Sequence, residues 1–178
     1  MTWTRALPWI VVLLLAGLVL GDVGVPRWLG GDDPDAAVSP GGTATARLER
    51  VVDGDTIAVR LGGREERIRY IGVDTPETVK PDAPVECFGH AAHGLNARLL
   101  GGEGARLRLR FDRELRDRYG RLLAYVYRAG DGLFVNARLV VAGAARTLPI
   151  APNTAHAAEL SGLQHDARAA GRGLWSAC

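Results

Sequence analysis

Four carboxylates fall in two short turns: Asp53 and Asp55 flank Gly54, and Asp74 and Glu77 flank Thr75-Pro76. Two of the nearby guanidinium groups, Arg69 and Arg121, complete a set with clear chemical use. Paired carboxylates with a backbone carbonyl make an all-oxygen site for a hard cation such as Ca²⁺. Pro76 fixes the chain locally, pushes Thr75 toward an extended conformation and leaves carbonyls free to ligate. A phosphodiester attacked by water gathers negative charge on its non-bridging oxygens. A divalent ion and two Arg forks are groups that stabilise such charge. Glu77 is then the candidate base or positioner for the attacking water. Taken singly, each turn has a plainer reading, because Asp, Gly and Pro dominate ordinary turns.

The elements that must position these groups follow from the hydrophobic pattern. Ala46–Val52 reads as a strand entering the Asp53-Gly54 turn. Asp55–Leu61 alternates, with Ile57, Val59 and Leu61 on one face, and Gly62-Gly63 marks a hairpin to the returning strand Arg67–Val73. That hairpin brings Asp55, at the start of one strand, beside Asp74, at the end of the other. Strict alternation puts Arg69 and Asp74 on opposite faces, so their convergence requires a bulge or bend, which we place at Gly72. A helix is expected over Phe88–Leu100, stopped by Gly101-Gly102. Arg106–Phe111 and Arg121–Tyr127 read as two further strands, and Phe134–Ala142 and Thr154–Ala170 as helices. Five short strands, one helix between the third and fourth, and helices at the end specify an α+β chain, mainly β. The architecture expected is a five-stranded OB-type barrel with about three packed helices. The order excludes a doubly wound sheet of alternating βαβ units.

With these segments in order, the chain resembles the thermonuclease (micrococcal-nuclease-like) family. The resemblance rests on Asp53-Gly54-Asp55-Thr56, on Arg69 through Glu77, and on Asp117-Arg118-Tyr119-Gly120-Arg121. It continues through Leu122–Tyr127, Val135-Asn136, Pro152-Asn153-Thr154 and Gly173-Leu174-Trp175-Ser176, spanning about residues 46–176. It implies an OB-type barrel and Ca²⁺-dependent cleavage of DNA and RNA, with little sequence choice, leaving 3′-phosphate ends. It implies that Asp55 and Asp74 ligate Ca²⁺ by side chains and Thr75 by its carbonyl. Glu77 is implied as general base, Arg69 and Arg121 as the phosphate clamp, and Arg118 and Tyr119 as nucleotide-binding residues. One departure stands out: Leu148-Pro149-Ile150-Ala151 occupies a stretch where the best-known member carries two Tyr. Losing those rings is expected to weaken nucleotide binding more than chemistry.

Composition and the N-terminus bear on partners and compartment. The chain has 178 residues, 22 basic and 20 acidic. Asp22, Asp32, Asp33 and Asp35 all precede residue 45, so the remainder is more basic than the total suggests, and Lys80 is its only Lys. Arg carries a planar fork suited to phosphate, which fits DNA and RNA as partners, although Arg bias also follows genomic base composition. Met1–Arg5 is positively charged and Ala6–Leu20 is an uncharged apolar run, shorter than the about 20 residues of a full span. Residues 1–25 therefore read as a signal peptide or signal-anchor, 26–44 as a Gly/Pro/Asp-rich linker, and 45–178 as the nuclease-like domain. Export is expected, to the medium or to the outer face of the cytoplasmic membrane, as a monomer touching membrane only through its N-terminal segment. Cys87 and Cys178 are an even pair in such a compartment and are expected to form a disulfide. It closes a long loop, for which loop entropy suggests roughly 4–5 kcal/mol. His90 and His93 are spaced i, i+3 on a helix but read as surface or packing residues, and His156 and His165 as exposed helix residues. Trp175 reads as a packing anchor. Two rivals to catalysis remain: a non-catalytic nucleic-acid-binding barrel, which typically lacks the Asp/Asp/Glu/Arg/Arg set, and a structural Ca²⁺ module.

Overall fold

The computed structural model describes residues 38–78 and 84–178. The leader expected over residues 1–25 lies outside them. Five strands close into a barrel: β1 (Thr43–Asp53), β2 (Thr56–Leu61), β3 (Arg64–Tyr70), β5 (Arg106–Arg110) and β6 (Leu122–Arg128), in the order β1-β2-β3-β6-β5. Only β3 and β6 run parallel. Alternation along each strand points Leu48, Ile57, Val59, Ile68, Leu107, Leu109, Ala124 and Val126 inward, all buried. β1 begins at Thr43, inside the stretch expected as linker, because Thr43 and Ala44 pair with Arg110 and Leu109. On β2 the burial is heavier than alternation suggests: Ala58, on the outward face, is fully buried between its pairing partners Arg50 and Arg67.

β3 leaves the barrel where the sequence requires a bend. Gly72 has φ +77°, a left-handed conformation that costs glycine little. Beyond it the three residues of β4 (Gly72–Asp74) pair with β7 (Arg146–Leu148) in a two-stranded ribbon. Each strand of that ribbon is too short to show a period of two, so the pattern alone misses it.

Helix α1 (Gly89–Leu100) lies between β3 and β5 in sequence, followed later by α2 (Val135–Val141), α3 (Ala157–Ala169) and a single turn, α4 (Leu174–Ala177). Three buried asparagines tie these pieces to the barrel. Asn96 of α1 donates to the Asp53 carbonyl (3.2 Å) and accepts from the Tyr70 hydroxyl (3.0 Å). Asn136 of α2 accepts from the Val126 amide and donates to the Ile71 carbonyl, both at 2.9 Å. Asn153 exchanges two bonds of 2.8 Å with the backbone of Glu114. Buried amides with both ends satisfied fix geometry, since breaking either end leaves an unpaired polar group.

Cys87 and Cys178 form a disulfide across a sequence separation of 91. α3 starts three residues later than the pattern suggests, after His156, and here one expectation fails. His156 is not an exposed helix residue. Its ring packs 4.5 Å from Tyr125 and 4.9 Å from Phe134, and its side chain is 18% exposed. The rings of Tyr125 in β6 and of Phe134, just before α2, draw the imidazole in. His165 is exposed as expected, and Trp175 is flanked by Arg146 and Arg168.

Candidate active site

Two clefts open at one edge of the barrel, and Arg69 and Arg121 line both. The first, about 320 Å³, is acidic: Asp53, Asp55, Asp74, Thr75 and Glu77 line it. The second, about 510 Å³, is walled by Ile71, Gly72, Val73, Asp117, Arg118, Tyr119, Leu148 and Ile150 among others.

In the acidic cleft the bend at Gly72 brings Arg69 onto both acids. Arg69 Nη2 lies 3.1 Å from Asp55 Oδ2 and 2.7 Å from Asp74 Oδ1, while Nη1 donates to the carbonyls of Tyr70 (2.8 Å) and Val73 (2.7 Å). A guanidinium with four acceptors is held in one orientation, which a Lys ammonium in its place could not reproduce. Asp55 is 5% exposed and Asp74 is exposed. Burial pushes the Asp55 carboxyl up, although Arg69, the Thr75 amide and the Thr56 hydroxyl pull it back. In the absence of a further cation, charge on Asp55 is therefore held at a cost.

Asp53, buried beside it, does different work. Its Oδ1 accepts from the Thr78 hydroxyl (2.7 Å) and from the Gly54 amide (2.8 Å). Burial raises its carboxyl, but hydrogen bonds involving Glu77, Thr78 and Gly54 outweigh that and bring it below the usual carboxylate range. Asp53 thus anchors the segment that carries Glu77, a role that residue type and spacing did not reveal. Glu77 in turn receives the Thr78 amide at 3.1 Å on Oε1, and its own amide donates to Glu86 at 3.3 Å.

Among the described residues, no group of three or more His, Cys, Asp or Glu side chains is gathered as a ready-made metal cage. The fit to a hard cation rests on a smaller donor set. Two carboxylates converge on one point, marked by Arg69 Nη2, and Asp55 Oδ2 accepts the Thr75 amide at 2.9 Å. Thr75 Oγ1 is buried without a hydrogen-bond partner, as expected beside a site that a water or ion completes. All of these donors are oxygens, which suits Ca²⁺, with water filling the rest of its shell. Gly54 is required by this packing: a Cβ there would sit 2.5 Å from Thr75 Oγ1.

In the second cleft Asp117 organises the turn. Its Oδ1 accepts the amides of Tyr119 (2.9 Å) and Arg121 (3.0 Å), and its Oδ2 takes Arg121 Nε at 2.7 Å. Tyr119, 68% exposed, lies between two guanidiniums, Arg118 at 4.7 Å and Arg121 at 5.4 Å from the ring centroid. Leu148 and Ile150, exposed by 40% and 61%, stand across from it as an aliphatic wall. The structure therefore brings Asp55, Asp74, Thr75, Glu77, Arg69 and Arg121 into one cleft, with Arg118 and Tyr119 in the adjoining one.

A small barrel with an acidic cleft joined through two Arg residues to an aromatic, cation-rimmed one defines a protein that handles phosphate esters. Comparison with known proteins agrees. Residues 67–177 match the family model described as staphylococcal nuclease homologue. The chain is 38% identical to a thermonuclease of Staphylococcus intermedius over 93% of its own length and 95% of that protein's. It is 39% identical to a thermonuclease of Staphylococcus hyicus over 79% and 81% of the two chains. It is also 40% identical to the endonuclease YncB of Bacillus subtilis, over 72% and 60%. The chain belongs to the staphylococcal-nuclease family, a family of phosphodiester hydrolases.

Proposed function

We propose that the protein is a Ca²⁺-dependent, sugar-nonspecific nuclease that hydrolyses DNA and RNA to 3′-phosphate products. The observation that carries this reading is the sharing of Arg69 and Arg121 by both clefts. A phosphate seated between them has an acidic site on one side and room for a base and sugar on the other.

Asp55, Asp74 and the Thr75 carbonyl would hold Ca²⁺. When bound, that ion supplies positive charge against the phosphate's developing negative charge. Arg121, already fixed through Asp117, presents its guanidinium to the non-bridging oxygens with little reorganisation as charge builds. Arg69, whose Nη2 lies between Asp55 and Asp74, would exchange those carboxylates for phosphate oxygens when an ion took its place there. Glu77, anchored through Thr78 and Asp53, accepts a proton from the attacking water. The new bond joins that water's oxygen to phosphorus. The bond to the 5′-oxygen breaks, and that oxygen leaves as an alcohol by taking a proton from solvent water, while Glu77 returns its proton to solvent, so the phosphate stays on the 3′ side. Arg118 and Tyr119 seat the nucleotide. A non-catalytic barrel would not need all five ionisable groups in one cleft.

The compartment proposed is extracytoplasmic, secreted or held by the leader to the outer face of the cytoplasmic membrane. The solvent-exposed pair Cys87–Cys178 supports it, since such bridges persist where the surroundings oxidise. The protein is proposed to act as a monomer. The test is digestion of DNA and RNA with Ca²⁺ and with chelator, followed by end-group analysis. Ca²⁺-dependent cleavage leaving 3′-phosphates is expected; full activity in chelator or 5′-phosphate ends would refute the reading.

A further inference from the structure

The outer faces of the barrel are charged in two different ways. Around β1, β2 and β3 several arginines are matched with acids: Arg50 with Glu65 (2.8 Å), Arg60 with Glu49 (2.7 Å) and, from the loop before β6, Arg116 with Glu66 (2.9 Å), while Arg64 and Arg67 of β3 form no such ion pair among the described residues. Along β5 the arginines are unmatched. Arg106, Arg108 and Arg110 alternate outward along β5, all exposed, and Arg47 of β1 lies directly opposite Arg106. Among the described residues, none of these four pairs with a carboxylate. Like charges facing each other across a ladder are destabilising. Four adjacent exposed guanidiniums without a carboxylate partner keep that charge available for an anion.

One of the four is also held in place. Arg108 lies over the Tyr127 ring at 4.9 Å from its centroid, and that ring stacks at 4.6 Å on Phe134. Arg110 lies near the same phenol, whose ionised form its charge favours. A guanidinium pinned on an aromatic gives up less freedom when it meets a ligand. The row suggests the ligand class: exposed cations repeating about every 6.8 Å along a strand suit a polyanion with regularly repeated charge, such as a nucleic-acid backbone. The row also points the right way. β5 and β6 are antiparallel with Arg110 opposite Tyr125, so the Arg110 end lies toward the start of β6, where Arg121 stands.

We infer that the outer face of β5, with Arg47, Arg106, Arg108 and Arg110, is a second nucleic-acid-binding surface that carries the phosphate backbone of a long strand toward the catalytic clefts. Its occupant is a single strand of the polymeric substrate outside the cleaved step, bound without regard to sequence; this rests on the nuclease reading for the identity of the substrate.

The test uses the full chain. Binding of a long single-stranded oligonucleotide is measured against salt in a Glu77→Gln background, and hydrolysis of a dinucleotide in the wild-type background. Replacing Arg106, Arg108 and Arg110 together by Ser should weaken long-strand binding at least tenfold at low salt. It should also flatten the slope of log K against log salt by about 2, at about 0.7 per phosphate contact. Dinucleotide hydrolysis should not change. A control with Arg64, Arg98 and Arg138 replaced by Ser removes the same charge elsewhere and should leave the slope as it was. Arg106→Ser alone spares the Tyr127 contacts and should lower the slope by about 0.7. Equal losses in the rail and control variants would overturn the inference, as would unchanged long-strand binding. Loss of binding to anionic lipid vesicles with strand binding intact would overturn it too. If the wild type hydrolyses neither substrate, the nuclease reading fails, and the binding slopes alone decide whether the rail exists.

Discussion

The two clefts that meet at Arg69 and Arg121 are built on different terms. The acidic one is held from behind. Asp55 and Thr75 are buried, Asp53 anchors the Glu77 segment, and Asn96 fastens the turn to α1. The adjoining one is open, with Tyr119, Leu148 and Ile150 all well exposed. Reaction chemistry demands fixed geometry, whereas nucleotide preference tolerates changes in the lining. This chain lines the open cleft with Leu148 and Ile150 and still carries Asp55, Asp74, Glu77, Arg69 and Arg121 in the acidic one. Substitutions on the acidic side should therefore act on kcat, and those on the open side on KM.

The largest effect that sharpens this contrast belongs to Glu77. Glu77→Gln keeps size and hydrogen-bonding capacity but accepts no proton, and kcat for DNA hydrolysis should fall about 10²–10⁴-fold. A fall under tenfold would remove Glu77 from the role. Next comes Arg69→Lys, which keeps the charge but loses the fork that meets four acceptors. Steady-state kinetics should show kcat lower by about 10²–10³-fold; near-normal kcat would mean that charge alone suffices there. On the open side, Leu148→Tyr should lower KM for single-stranded DNA by about five- to 150-fold, the equivalent of one stack at about 1–3 kcal/mol. If kcat moved instead, the division between clefts would break.

The smallest effect concerns stability. Burial raises the Asp55 carboxyl in the folded protein. A raised folded value favours folding at low pH, where the group is neutral in both states, and that benefit is lost as pH rises through the folded value. At neutral pH the charged Asp55 is therefore a cost to the metal-free protein. Metal-free Asp55→Asn should melt at or slightly above wild type at pH 7, and the difference should shrink as pH is lowered into the carboxylate range. A lower melting temperature at pH 7 would show that Arg69 more than offsets the burial.

Much of this was legible in the residues, for reasons that differ by element. The barrel strands carry clean alternation, so burial dictates their register. Gly72 could be located as the bend because Arg69 and Asp74 have opposite parity and had to meet. The β4–β7 ribbon was not legible, since three-residue strands carry no period. Asp53 and Asp117 were visible only as turn acids. Their task is to hold other catalytic-cleft residues, which depends on contacts such as Thr78 to Asp53 across 25 residues of chain. His156 was misjudged because helical spacing says nothing of the aromatic pair Tyr125 and Phe134 arriving from other elements.

The central claim is that ion and nucleotide occupy adjoining clefts and act on one another through shared residues. A calorimetric titration of the full chain with Ca²⁺, with and without a nucleoside 3′,5′-bisphosphate, measures this directly. The nucleotide should tighten Ca²⁺ binding, and Ca²⁺ should tighten nucleotide binding by the same factor, as linkage requires. Identical Ca²⁺ affinity in the presence and absence of nucleotide would contradict the account.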